Sequence, residues 1–210
     1  MHEKSQKYQT LALFDFDGTL CKIDSFTGFI FFALPKWQII MRGMIILPWI
    51  IAYYLKLYPA HLMRPKLFKQ MFKGQKQYQI TAAASAYARQ LVEQHLSSDL
   101  YAQLRQHQVC NHQVVLVSAS VNVYLAPLCE RLKIQLICTE LDDTQQKMTG
   151  LYSTPDCSHH QKKIRILKTL NIEQYTTIYA YGNSDEDSAM LSLAKYSYLV
   201  GKNQEPPNLS

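Results

Sequence analysis

The chain opens its ordered pattern with Leu11-Ala12-Leu13-Phe14, a short apolar run bounded by polar residues, as in a strand buried on both faces. Similar runs recur at 114–117 (Val-Val-Leu-Val), 134–138, 177–181 and 197–200. Between them, residues 121–132, 158–170 and 185–194 repeat apolar positions at helical spacing. Strands alternating with helices predict an α/β fold: a Rossmann-like, mostly parallel sheet with helices on both faces. Residues 139–152 predict a hairpin that turns near Gln145 and Gln146.

The pattern between the first strand and the rest is different. Phe26, Phe29, Phe31 and Phe32 lead to Pro35, and 37–58 is strongly apolar. Its longest uncharged run, 43–55, contains Pro48, and Arg42 and Lys56 bracket it. A membrane span needs roughly 20 apolar residues. The run therefore predicts a cap helix, kinked or broken at Pro48, that is either buried or lies at a membrane interface. Residues 60–72 predict a basic amphipathic helix ended by Gly74. An alanine-rich helix follows at 80–96, then one at 98–107 opened by Ser97 or Ser98. The expected organisation is a core of 1–23 and 97–210 with an all-helical cap inserted at 24–96.

Charge sharpens this division. Between Ser25 and Val92 there are nine Lys and Arg and no Asp or Glu, in a chain of net charge +6. A one-signed segment favours an anionic partner: a phosphorylated substrate, an acidic membrane surface or nucleic acid. A solvated helical face is the plainer reading. Nucleic acid is the weakest of the three partners, because the charge is interleaved with long apolar runs. The five cysteines are widely spaced with no CxxC pair and read as reduced thiols. The polar N-terminus lacks an apolar signal core, so the expected location is cytoplasmic, with the inner membrane face as a peripheral option.

The chemistry concentrates just past the first strand, in Asp15-Phe16-Asp17-Gly18-Thr19-Leu20. Reactive groups in open parallel sheets sit past the carboxyl ends of strands. An aspartate is ionised at neutral pH and can attack phosphorus without a base to activate it. A cation and a lysine must then offset its repulsion from an anionic ester. A second carboxyl two residues on can protonate the leaving oxygen and later deprotonate water.

This string resembles the first motif of the haloacid dehalogenase superfamily, most of whose members hydrolyse phosphate esters. Three further motifs match in order. Ser118, after the strand 114–117, resembles the hydroxyl that holds phosphate, together with the Ala119 backbone. Cys157-x-x-x-x-Lys162 resembles the lysine motif of the phosphoserine-phosphatase-like branch, with Lys163 the alternative if the register slips. Residues 182–187 resemble the Gly-Asp-x-x-x-Asp metal loop, but Asn183 stands where the first Asp would be and Asp187 keeps the second place. An amide oxygen is a hard ligand that brings no charge, so Asn183 would ligate more weakly, with Asp185 as a substitute. The insert's position is similar to the caps of subfamily IB. Asp24-Ser25-Phe26 and Met148-Thr149-Gly150 also resemble a bacterial group that includes phosphatidylglycerophosphate phosphatases.

The resemblance implies a magnesium-dependent phosphatase acting through an aspartyl-phosphate on Asp15, with Asp17 as acid and base. Ser118, Lys162 and the backbone near Gly18, Thr19 and Ala119 would hold the phosphate. Asp15, the Asp17 carbonyl, and Asn183 or Asp187 would hold Mg2+. Asp24 and Arg64 would contact a small phosphorylated metabolite; a phospholipid head group would instead engage the core beneath a lipid-facing cap. The alternative is a catalytically weak, HAD-like phosphate-binding or regulatory module, which Asn183 allows. A phosphorelay receiver is disfavoured, because its acceptor Asp is not part of a DxDGT string.

Overall fold

The computed structural model describes residues 9–142, 146–202 and 205–209. One sheet holds five parallel strands in the order β3-β2-β1-β4-β5. They are β1 (Thr10–Phe14), β2 (Gln113–Val121), β3 (Gln135–Thr139), β4 (Thr177–Gly182) and β5 (Tyr196–Leu199). β1 lies at the centre and is wholly buried, which is why it carries no polar alternation.

Alternate residues of each strand feed two cores. Leu11, Leu13, Val115, Val117 and Ala180 pack with Ile166 of α7 (His160–Thr169) and Met190 of α8 (Ser188–Leu191). Ala12, Phe14, Val114, Leu116, Tyr179 and Tyr181 pack on the other side. There they meet Leu100 and Leu104 of α5 (Ser98–Val109) and Leu125 and Leu128 of α6 (Asn122–Leu132). The expected parallel sheet with helices on both faces is what forms. His107 of α5 is fully buried against this face, and its Nε2 and the Tyr181 hydroxyl are 2.8 Å apart. Its Nδ1 is 2.8 Å from the Nδ1 of His112. Burial and the neighbouring His112 push its pKa down to about 3, so it is neutral in the folded protein.

Residues 24–95 leave and rejoin the core at one place. Cys21 and Leu96 form an antiparallel bridge, flanked by Lys22 N–H to the His95 carbonyl at 2.9 Å and Ser97 N–H to the Leu20 carbonyl at 2.8 Å. The segment folds as α1 (Ser25–Ala33), α2 (Lys36–Tyr54), α3 (Ala60–Phe72) and α4 (Gln77–Gln90). The single helix expected over 80–96 instead changes to a π-helical turn at Leu91–His95, where the chain is drawn back to Leu20 and Cys21. Phe29 stacks on Phe72 and contacts Tyr124 of α6, so cap and core share one apolar interior.

α2 departs from expectation. It runs unbroken through Pro48 and is mostly exposed, with Ile46 its one buried residue among those described. By length and composition it could cross a membrane, at a mean hydropathy of 1.2 over its most apolar window. Arg42 explains how a charge fits on it: its Nη1 donates to the carbonyls of Gln70, Met71 and Lys73, which close the end of α3. The Lys66 ammonium lies 4.4 Å from the Trp49 ring centre, a second tie between the two helices.

Across the expected 139–152 hairpin, the described residues pair antiparallel at Leu141 and Tyr152, flanked by Asp142 N–H to the Leu151 carbonyl at 3.0 Å and Ser153 N–H to the Glu140 carbonyl at 2.9 Å. Gln145, half of its expected turn, lies outside the described residues. The returning arm also pairs with the cap: Met148 N–H donates to the Gln75 carbonyl, Gly74 N–H to the Met148 carbonyl, and Gln77 N–H to the Gln146 carbonyl.

Candidate active site

The carboxyl ends of β1, β2 and β4 meet in a cleft of about 550 Å3 roofed by α1, α2 and α3. Asp15 follows β1 directly and is 6% exposed. Its Oδ1 accepts from the Lys162 ammonium at 2.5 Å and its Oδ2 from the Thr19 hydroxyl at 2.8 Å. Thr19 therefore supports the carboxylate directly. Gly18, at φ +77°, turns the chain between the two.

Asp17 is held by partners other than Lys162. Its Oδ1 accepts from the Ser25 N–H at 2.7 Å and its Oδ2 from the Ser120 hydroxyl at 2.6 Å. Burial pushes the Asp17 carboxyl above its ordinary range, and these two hydrogen bonds only partly offset it. Ser25 in turn meets the Tyr124 hydroxyl at 2.9 Å, and its carbonyl accepts from Tyr87. Ser120 and Ser25 are site residues that the sequence reading missed. The repeat in Ser118-Ala119-Ser120 was the available signal. A register shift between Ser118 and Val121 bends the strand end here.

Lys162, on the first turn of α7, is 1% exposed and binds Asp187 Oδ1 as well as Asp15, both at 2.5 Å. Burial disfavours its charge, but the two carboxylates outweigh that and raise its pKa, so it is an ammonium. Lys163 points elsewhere, to the Ser192 hydroxyl at 3.4 Å, so of the two lysines it is Lys162 that lies beside Asp15. Burial raises the Asp15 pKa to about 6 against the opposing pull of Lys162.

Asp187 has both oxygens engaged, because its Oδ2 accepts from the Asn183 and Ser184 N–H groups at 2.9 and 3.1 Å. The loop folds back so tightly that a Cβ on Gly182 would lie 2.7 Å from the Asp187 Cβ. The helix expected over 185–194 accordingly starts as a 3-10 turn (Asp185–Asp187) before α8. The geometry thus makes Asp187 a partner of Lys162 rather than a ready metal ligand.

Ser118 and Ala119 line the cleft as expected, and the Ser118 oxygen accepts from the Ser120 N–H. Asp24 also lines it but serves to cap α1, accepting from the Thr27 N–H and hydroxyl. Arg64 faces the cleft already paired: it bonds both oxygens of Asp156 at 2.8 and 2.9 Å and Glu186 at 3.0 Å. Arg64, expected to contact substrate, thus reaches the cleft with its guanidinium already engaged by two carboxylates. Asp185 is exposed and lies off the cleft's lining.

Among the described residues no three His, Cys, Asp or Glu side chains converge as metal ligands. Hard oxygens nevertheless gather here. Asp15 and Asp17 both line the cleft, and the Asp17 carbonyl accepts no hydrogen bond from a described residue. Asn183 packs onto the same loop, its amide Nδ2 2.1 Å and its Oδ1 3.7 Å from where a Cβ on Gly18 would stand. Such a donor set fits a small hard cation, held with one formal charge fewer than a second carboxylate would give.

A fold of this topology, with an Asp-x-Asp-Gly-Thr turn at the end of its central strand and a buried lysine against it, defines a hydrolase class. Residues 12–192 match the family model of the haloacid dehalogenase-like hydrolases, and the chain belongs to that family. Within it, the chain is 31% identical over 189 residues to Protein CicA of Caulobacter vibrioides, covering 88% of this chain and 82% of that protein. Among solved structures, a protein of unknown function from Bordetella pertussis Tohama I superposes with a TM-score of 0.73 at 20% identity, covering 91% of this chain and 90% of that one. A phosphoserine phosphatase caught as an analogue of its phospho-aspartyl intermediate gives 0.65 at 16% identity, over 92% and 87%. At these identities the structures establish a shared fold.

Proposed function

We propose that the chain is a magnesium-dependent phosphatase that hydrolyses a phosphate monoester, with 24–96 acting as its substrate-selecting cap. The observation that carries this is the pair of carboxylates two residues apart, each differently held. Asp15 is fixed by Lys162 and Thr19 and aimed into the cleft; Asp17 is fixed by Ser25 and Ser120.

Asp15 attacks phosphorus in line and becomes an aspartyl-phosphate as the ester oxygen departs. Lys162 offsets the charge of the nucleophile and the equatorial oxygens. Asp17, its pKa raised by burial, gives its proton to the departing alkoxide and later takes one from the water that releases phosphate. Ser118 and the N–H groups near Gly18 and Ala119 hold the phosphoryl oxygens. Asp187 keeps Lys162 in place. A Mg2+ ion would be held by Asp15, the Asp17 carbonyl and Asn183, and would supply charge neutralisation and a further grip on the phosphate.

The exposed face of α2 supports a peripheral membrane contact as part of the same reading. On α2, Trp37, Ile40, Met44 and Ile45 are each more than half exposed, as is Leu57 just beyond its end. They belong to a segment that carries nine Lys and Arg and no Asp or Glu. Aromatic and basic residues together suit an anionic bilayer surface.

The deciding experiment is hydrolysis of an aryl phosphate against added Mg2+, with wild type beside Asp15→Asn. Metal-dependent turnover that the variant loses, at unchanged circular dichroism, supports the phosphatase. Absence of turnover at millimolar metal favours the phosphate-binding module.

A further inference from the structure

The cleft has two unlike parts. Its floor is the polar set around Asp15. Above it, the walls are apolar: Phe26 and Ile30 of α1, Ile39 and Ile50 of α2, and Met63 and Met71 of α3. Gly43 of α2 also lines it, and a Cβ there would meet only the Met71 methyl, at 3.9 Å. The apolar part is therefore not filled by its own side chains at that point.

The charges on the lining decide what the leaving group can be. Two cations face the cleft, Lys162 and Arg64. Lys162 is held by Asp15 and Asp187 on the floor. Arg64 is neutralised by Asp156, and Glu186 stands against the same guanidinium as a second carboxylate. Asp24 and Glu186 add negative charge to the same walls. A leaving group bearing a carboxylate or a second phosphate would meet no unpaired cation among the described lining residues, and two acids would repel it. An uncharged chain would instead cover apolar wall and gain from leaving water.

We infer that this site takes phosphate monoesters whose alcohol carries a long, uncharged apolar chain. The phosphate sits at Asp15 and Lys162, and the chain lies between α1, α2 and α3. This rests on the phosphatase reading and narrows it, by excluding phosphorylated amino acids as preferred substrates.

The test compares ethyl, hexyl and decyl phosphate below their micellar concentrations with phosphoserine, all with Mg2+. Binding of the matching non-hydrolysable alkyl phosphonates is measured by calorimetry in parallel. The expected gain in both kcat/KM and affinity is about two- to fourfold per methylene until the cleft is filled, with phosphoserine below hexyl phosphate. A flat series in both measurements, or phosphoserine as the best substrate, overturns the inference. Gly43→Leu, which improves helix propensity while occupying the apolar part, should end the gain beyond hexyl; an unchanged slope counts against the placement of the chain. A lysophosphatidate arm in phosphatidylglycerol vesicles separates the sources: faster turnover there than of monomeric decyl phosphate makes the substrate a membrane lipid, the reverse a soluble amphiphile, and either upholds the chain. Failure of the phosphatase reading looks different, since no ester would turn over while phosphonate affinity still climbed with length.

Discussion

Lys162 illustrates how much one side chain can be asked to do. It is buried between two carboxylates that have little water to solvate them. Lys162→Met would leave Asp15 and Asp187 facing each other without their shared cation, and removing one partner of a buried ion pair costs about 3–5 kcal/mol. Urea unfolding should show a loss of that size, and aryl phosphate turnover should disappear with it. Asp15→Asn removes the nucleophile while conserving shape, and turnover is expected to fall by at least about a thousandfold. Asn183 offers a gain in place of a loss. Asn183→Asp restores a charged oxygen beside the Gly18 turn, so activity should half-saturate at lower Mg2+ than in wild type; an unmoved titration would take Asn183 out of the metal's coordination.

At the scale of elements, α5 and α3 each carry one polar anchor with a measurable consequence. His107 is buried neutral with its pKa lowered from the ordinary 6.5 to about 3. The unfolded chain binds that proton near 6.5, so His107 contributes stability that is complete above this value and is lost as pH falls toward 3. Denaturation midpoints should decline across that interval, and His107→Gln should flatten the decline. Arg64 ties α3 to the loop before α7 and to the turn that carries Asp187. Arg64→Gln should speed amide exchange in α3 and raise KM more than it lowers kcat, because the substrate's roof loosens while the floor stays intact.

The elements were largely legible in the sequence because buried parallel strands are apolar throughout and leave little ambiguity. What was not legible depended on partners distant in the chain. Pro48 pointed to a break that α2 does not have. The partners of Arg64 were hidden because Asp156 and Glu186, more than 90 residues away, could not be paired with it by pattern. Ser120 and Ser25 escaped notice because a serine's role depends on what it faces, and both face Asp17. The four motifs carried the site because each lies at an element end that the sheet brings together.

For the whole molecule, the uneven distribution of charge and apolar surface is the dominant property. Exposed apolar side chains such as Trp37, Ile40, Met44 and Ile45 gather on one helix, the kind of surface that marks an interaction or membrane site, and they lie on the cationic part of the chain. Flotation with phosphatidylglycerol vesicles should recover the protein, and phosphatidylcholine vesicles should recover less of it. Added salt should weaken the first association, since screening acts on the lysines while the apolar contribution persists. Trp37→Ser with Ile45→Ser should reduce flotation and leave aryl phosphate hydrolysis intact, because both side chains point away from the cleft.

The adjacency of Cys21 and Leu96 has an evolutionary corollary. Once the two ends of an excursion are pinned together, the entropy of closing it grows only with the logarithm of its length, about 0.6 kcal/mol for each doubling. Lineages are thus free to lengthen, shorten or exchange the roof at almost no thermodynamic cost to the strand tips beneath, so new chemistries of recognition can arise over an unaltered hydrolytic floor.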